Sequence, residues 1–299
     1  MKKLFVLVCL FAIGFGTVAS AAKRQAKHVV LIALDGWGAY SVPKADIPNI
    51  KKLMDEGCYT LHKRSVFPSS SAINWASMFM GVGTELHGYT EWGSRTPEIP
   101  SRVVNEHGIS PTIFSVMREQ YPEAETGCLY EWEGIKYLID TLALSYHAQA
   151  PDYDKYPTAL CEMAEKYIKE KKPAMLAVCF DQLDHTGHAV GHDTPGYYEK
   201  LKELDGYVGR IIEAIKEAGM YDDTVIMMTA DHGGIKKGHG GITLQEVEIP
   251  FIIAGKNVRK GGEFQESMMQ YDTAATMGYV FGVKQPQVWT GRPMIQVFK

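Results

Sequence analysis

Four short apolar runs constrain this chain more than any other feature: His28–Leu34, Met175–Phe180, Val225–Thr229 and Pro250–Ala254. Each is too short for a buried helix and is bounded by Gly, Pro or Asp, the pattern of a strand covered on both faces, as in a parallel sheet. Helical periodicity lies between them. Pro48-Asn49 opens a helix through Met54 that Gly57 closes. Leu201, Leu204, Val208, Ile211, Ile212 and Ile215 share one face of another, which Gly219 ends. Strands alternating with helices predict an α/β fold, three layers α/β/α around a mostly parallel central sheet. No repeat or low-complexity linker interrupts residues 22–299, which read as one α/β domain. Residues 85–150 are rich in aromatics, Gly and Pro and weakly periodic outside Thr112–Glu119 and Gly127–Tyr130; excursions near a site and ordinary connections fit them equally well.

Residues 1–21 read as a signal peptide. Lys2 and Lys3 precede an apolar run, Leu4 to Phe15, and Ala19-Ser20-Ala21 supplies a small-residue cleavage pattern. The run is shorter than the roughly 20 residues of a membrane span, so export to the periplasm or medium is expected, with no stable span after cleavage. Of the remaining cysteines, Cys58, Cys128, Cys161 and Cys179, none forms a CxxC pair; they read as small core residues with at most one bridge. A net charge of −4 and the lack of any Lys/Arg-rich run argue against a nucleic-acid-binding surface.

The chemistry is carried by where acids and histidines fall. Asp35 ends the first strand; Asp184 and His188 follow the strand Met175–Phe180; Asp231 and His232 follow Val225–Thr229, with His239 shortly after. Open α/β sheets bind ligands beyond the carboxyl ends of their strands. A lone strand-end Asp is more often a cap or turn residue, and a lone His a satisfied polar group. Caps, however, do not require histidine partners at three matched strand ends. Three Asp and three His exceed one tetrahedral zinc site and suit two ions with open positions. Imidazole-rich sites favour zinc or another transition metal. A nucleophile has a place in Pro68-Ser69-Ser70-Ser71-Ala72-Ile73-Asn74-Trp75, ahead of the helical run Ala76–Met80. A serine there serves equally as a helix cap or as an alkoxide beside the positive helix end, and composition does not choose among the three.

Together the blocks Ile32–Gly36, Pro68–Gly81, Asp184-x-x-Gly-His188, Thr229–Gly233 and Gly238–Gly240 resemble the alkaline phosphatase superfamily, in its type I phosphodiesterase/nucleotide pyrophosphatase branch. Asp272–Thr276 and Trp289–Pro293 resemble its C-terminal segment. The resemblance implies that Asp35, Asp231 and His232 hold one ion, which also touches the oxygen of Ser71, and that Asp184, His188 and His239 hold the second. Zinc is the expected ion, with manganese the alternative. In that branch the nucleophile, usually Thr, stands three residues before an Asn on a phosphate oxygen. Asn74 thus sets the register and selects Ser71. Ser for Thr, Ala72-Ile73 for the usual Phe-Pro and Trp75 after the Asn are departures.

The implied reaction is two-metal phosphoryl transfer on a small phosphate ester, through a phosphoseryl intermediate. A phosphomonoesterase, a phosphonate hydrolase and a sulfatase are the rivals; no Arg follows the serines as the common sulfatase pattern requires. A catalytically dead exported binding module is the alternative outside enzymes. His185 and His192 are read as flanking groups, His87 as structural, and His28, His62, His107 and His147 as without function.

Overall fold

The computed structural model describes residues 23–299; the signal-peptide reading, Lys2 to Ala21, lies outside them. Eight strands among the described residues form one sheet: β1 (His28–Leu34), β2 (Cys58–Arg64), β3 (Thr126–Tyr130), β4 (Tyr146–Gln149), β5 (Met175–Phe180), β6 (Thr224–Thr229), β7 (Glu248–Gly255) and β8 (Gly262–Glu263). Their order is β4-β3-β5-β1-β6-β7-β2-β8. The helices are α1 (Pro48–Glu56), α2 (Ser71–Met80), α3 (Thr84–His87), α4 (Ile113–Gln120), α5 (Ala159–Lys171), α6 (Gln182–Val190), α7 (Pro195–Glu217), α8 (Leu244–Val247) and α9 (Asp272–Phe281).

β1 is central and parallel to both neighbours, with Ile32 opposite Val178 of β5 and Met228 of β6. Its side chains divide the molecule into two cores. Val29, Leu31 and Ala33 pack with Trp75 and Phe79 of α2, Phe114 of α4 and Phe281 of α9. Val30, Ile32 and Leu34 pack with Leu53 of α1, Ile168 of α5 and Leu204 and Ile211 of α7. Each fully buried side chain of this size contributes ~1.5–3 kcal/mol, and a one-residue slip would send all six to the wrong face, so the register of β1 is firmly specified. This is the expected α/β/α architecture.

One strand departs from the parallel pattern. β7 runs antiparallel to β6 and to β2. Residues 230–247, between β6 and β7, form loops and the short α8 and do not cross back over the sheet, so β7 starts where β6 ends and runs antiparallel to it. Residues 85–150 divide. α4, β3 and β4 belong to the layers, and the segment between α3 and α4 is loop, one point of which, the Trp92 carbonyl, accepts the Ala72 N–H at 3.0 Å. All four described cysteines are buried and free, so no bridge forms among them. No described helix is long and apolar enough to cross a membrane.

Candidate active site

Strand order builds the site. β5, β1 and β6 are adjacent and parallel, so the residues following them emerge together at one sheet edge. Asp35 follows β1, Asp184 and His188 sit one turn apart on α6 after β5, and Asp231 and His232 follow β6. Crowding there requires glycine at position 36: its φ is +69°, and a Cβ would lie 2.6 Å from Asp184 Oδ1. α6 is anchored by a residue that the sequence reading passed over. The carboxylate of Glu131, straight after β3, accepts the Asp181 N–H and the Gln182 side-chain amide, both at 2.7 Å. The signal for it was present: an acid at a fourth strand end on the same edge.

The histidines share one hydrogen-bonding plan. Nδ1 of His188 meets the Lys237 carbonyl at 2.9 Å, Nδ1 of His232 the Gly233 carbonyl at 2.8 Å, and Nδ1 of His239 the Ser69 carbonyl at 3.2 Å. A carbonyl only accepts, so each Nδ1 carries a proton and each Nε2 is turned inward, as a lone pair wherever the ring is neutral. Those nitrogens face carboxylates. His188 Nε2 is 3.0 Å and His239 Nε2 3.8 Å from Asp184 Oδ2. His232 Nε2 is 3.4 Å from Asp35 Oδ1 and 3.2 Å from Asp231 Oδ2. The rings of His232 and His239 stack at 3.8 Å between centroids.

Lone pairs and carboxylate oxygens at these distances repel unless a cation or proton lies between them. Asp35 Oδ1, Asp184 Oδ1 and Asp231 Oδ2 are buried without a hydrogen-bond partner, a state that costs about 1–3 kcal/mol or more per charged group. Burial, reinforced by neighbouring carboxylates, pushes Asp35 and Asp231 well above the usual carboxylate range. Asp184 goes the other way: burial would raise it, but the His188 bond and the His232 and His239 charges hold it below that range. Its partner His188 is pushed up to about 9, whereas burial takes His232 down to about 3 and lowers His239. Imidazoles with backbone-held Nδ1 and orphaned carboxylate oxygens are a donor set that, once the cation displaces any proton from Nε2, fits divalent cations. Ligand atoms converge in two triads, Asp35/Asp231/His232 and Asp184/His232/His239. His188 joins through Asp184 and is half-exposed.

Ser71 opens α2, and its hydroxyl donates to His232 Nε2 at 3.1 Å and makes no capping bond. Of the other two serines, Ser69 Oγ donates to the Gly241 carbonyl at 2.8 Å, and Ser70 is the N-cap residue by backbone position, its hydroxyl making no capping bond. Asn74 corrects the expectation that it holds a phosphate oxygen. Its Oδ1 accepts the Val66 N–H at 2.7 Å, and its Nδ2 donates to the carbonyls of Val66, Pro68 and Ser70 at 3.1–3.2 Å. A fully buried amide used up in this way clamps the loop ahead of Ser71 and has no donor left for a ligand. Asn74→Ala is expected to cost about 2–4 kcal/mol in urea unfolding, because it orphans several buried backbone groups, while folded protein keeps its affinity for substrate. A raised KM at unchanged stability would contradict this assignment.

The other histidines have separate partners except His192, whose two ring nitrogens are buried without a hydrogen bond. His87 Nε2 meets Ser77 Oγ at 2.9 Å while Nδ1 accepts the Tyr89 N–H at 3.1 Å, a structural arrangement. His192 is buried 3.6 Å from Asp184 Oδ1, and His185 faces outward beside Tyr153. His28, His62, His107 and His147 bond Pro173, Glu248, Asp140 and Tyr130, outside this site.

Residues 29–246 match the type I phosphodiesterase/nucleotide pyrophosphatase family. Among curated relatives, the bis(5'-adenosyl)-triphosphatase enpp4 of Mus musculus is 22% identical over 242 residues, covering 77% of this chain and 52% of the relative. Ectonucleotide pyrophosphatase/phosphodiesterase family member 3 of Mus musculus is 22% identical over 217 residues, 69% of this chain and 24% of its own length. The chain thus spans about half, or less, of the length of these relatives. Murine ectonucleotide pyrophosphatase/phosphodiesterase 5 superposes with a TM-score of 0.73 at 13% identity, covering 91% of this chain and all of that one. A 2-O GAG sulfatase superposes equally well, 0.73 at 14% identity over 91% and 74% of the two chains. These likenesses extend to the fold.

Proposed function

The chain belongs to the type I phosphodiesterase/nucleotide pyrophosphatase family, and from that premise we propose that it is an exported hydrolase of small phosphate diesters. Ser71 is the nucleophile, and two divalent ions, zinc or manganese, are held by Asp35, Asp231 and His232 and by Asp184, His188 and His239. The observation that carries this reading is the Ser71 hydroxyl, 3.1 Å from His232 Nε2 at the border of orphaned carboxylates.

When bound, the ions would supply positive charge to the attacking and leaving oxygens and lower the pKa of a coordinated hydroxyl. The chain's own residues do the rest. The N-terminus of α2 places Ser71 Oγ at the positive end of the helix, where an anionic phosphoryl group is favoured, although the Ala72 N–H is already bonded to the Trp92 carbonyl. In the first step the Ser71 Oγ–P bond forms, the P–O bond to the leaving alcohol breaks, and the alcohol departs with the serine proton. In the second, water attacks phosphorus, the P–Oγ bond breaks, and Ser71 regains its proton as a phosphomonoester is released. Asn74 holds the loop that orients Ser71, and Glu131 holds the helix that presents Asp184.

Charge favours a diester over a monoester. A monoester dianion calls for a further cation; of the candidate arginines, Arg64 is engaged with Glu248 at 3.0 Å and Arg95 with Glu133 at 3.3 Å, and Arg102 is exposed on the loop between α3 and α4. Lys63 is sealed in the core, its Nζ donating to Thr229 and Thr273 at 2.8 Å each. The test is hydrolysis by purified protein with added zinc or manganese, comparing bis-p-nitrophenyl phosphate, p-nitrophenyl phosphate and p-nitrophenyl sulfate. The diester is expected to be cleaved fastest. A faster monoester or sulfate would overturn the substrate class, and inactivity on all three would favour a binding module.

A further inference from the structure

Asp35 accepts one side-chain hydrogen bond among the described residues, and it comes from the helix that carries the nucleophile. The indole N–H of Trp75 donates to Asp35 Oδ2 at 3.1 Å. Trp75 lies four residues after Ser71, one turn along the same face of α2, and is 1% exposed. The bond divides the carboxylate's two oxygens. Oδ2 is taken by the indole, and Oδ1 is left without a partner, 3.4 Å from His232 Nε2. Ser71 Oγ meets that same nitrogen at 3.1 Å. One turn of α2 therefore sets both the nucleophile and one oxygen of a carboxylate against a single imidazole.

We propose that Trp75 is a positioning residue for the Asp35/Asp231/His232 ion, its indole N–H fixing which Asp35 oxygen faces the cation and tying that choice to the placement of Ser71. The inference rests on the two-ion reading above. It does not follow from packing alone. Trp75 also stacks on Phe79 at 6.0 Å between centroids, a contact that a phenylalanine at position 75 would keep. Hydrogen-bond partners behind a metal ligand typically contribute about 10–100-fold in metal affinity. A buried indole whose N–H ends on a ligand carboxylate is such a partner.

The test separates the N–H from the ring. Trp75→Phe keeps an aromatic ring and loses the donor; Trp75→His is smaller and keeps a ring N–H. Zinc affinity of the full chain is measured by competition with a chromophoric chelator, in parallel with thermal unfolding. For Trp75→Phe, one of the two sites is expected to weaken by about 10–100-fold while the other is unchanged, and Trp75→His should recover part of the loss. With cobalt in place of zinc, the visible absorption of the weakened site should also change. If Trp75→Phe binds both ions as wild type does, the inference falls and the two-ion reading stands. The inference falls as well if Trp75→His, with its donor, binds no better than the phenylalanine variant. If wild-type protein itself binds no divalent ion, both fall together. Should Trp75→Phe fail to fold, Trp75→Leu, apolar and also without a donor, takes its place: weakening equal at both sites, or at neither, overturns the assignment.

Discussion

Ser71→Ala is expected to lower kcat for diester hydrolysis by on the order of 10³-fold or more, the scale of removing a covalent nucleophile. The substitution deletes one hydroxyl whose bond goes to His232, so thermal stability should change by no more than about 1 kcal/mol. Zinc content should stay near that of wild type, because the six Asp and His donors are untouched. Ser69→Ala and Ser70→Ala serve as neighbours of opposite expectation: Ser69 is tied to the Gly241 carbonyl and it is Ser71, not Ser70, whose hydroxyl meets His232, so each should retain most of its activity. Ser71→Thr keeps the hydroxyl and should retain measurable turnover. Acid-quenched turnover followed by peptide mass spectrometry should find the phosphoryl group, still carrying the substrate's remaining ester group, on the peptide containing Ser71. An Ala variant with near-normal kcat would remove Ser71 from the chemistry, whatever the metal site does.

What the sequence disclosed and what it hid follow one physical rule. β1, β5 and β6 are covered on both faces, so their runs are continuously apolar and stand out; the residues just beyond them, Asp35, Asp184 and Asp231, stand out for the same reason. β2 did not. Its burial alternates and its buried positions include Lys63, so Cys58–Arg64 reads as polar until Thr229 and Thr273 are seen to satisfy the ammonium. The direction of β7 was hidden too, because apolarity is the same for either polarity and only the path of the preceding loop decides it. Spacing placed Asn74 one turn from Ser71 but could not show that its amide is consumed by the Val66–Ser70 loop. Trp75 meets Asp35 through a single atom, which leaves no period or motif to find, whereas Glu131 stands at a fourth strand end and carries the same positional signal as Asp35.

Exhaustive chelation should abolish hydrolysis and also lower the melting temperature, and the loss should depend on pH in a direction that the site fixes. Each ion, present at a thousand times its Kd, adds ~4 kcal/mol to stability. At roughly 2–4 °C per kcal/mol for a chain of this size, removing both should cost about 15–30 degrees. In the chelated protein, His188, pushed up to about 9 by Asp184, contributes stability that is present below its unfolded value and is lost as pH rises through about 9. Asp35 and Asp231, raised above the unfolded carboxylate range by burial and mutual repulsion, act in the same direction, since their ionisation in the folded state is resisted. His192, His232 and His239 are lowered by burial and oppose folding only below the ordinary imidazole value, so above about pH 7 they add no slope. The melting temperature of chelated protein is therefore expected to fall between about pH 7 and pH 9.5. With zinc or manganese restored, the same interval should be flat or rising, because deprotonated donors are the ones that bind cations. Equal melting curves with and without chelator across that range would mean that the orphaned oxygens of Asp35, Asp184 and Asp231 are not a cation site.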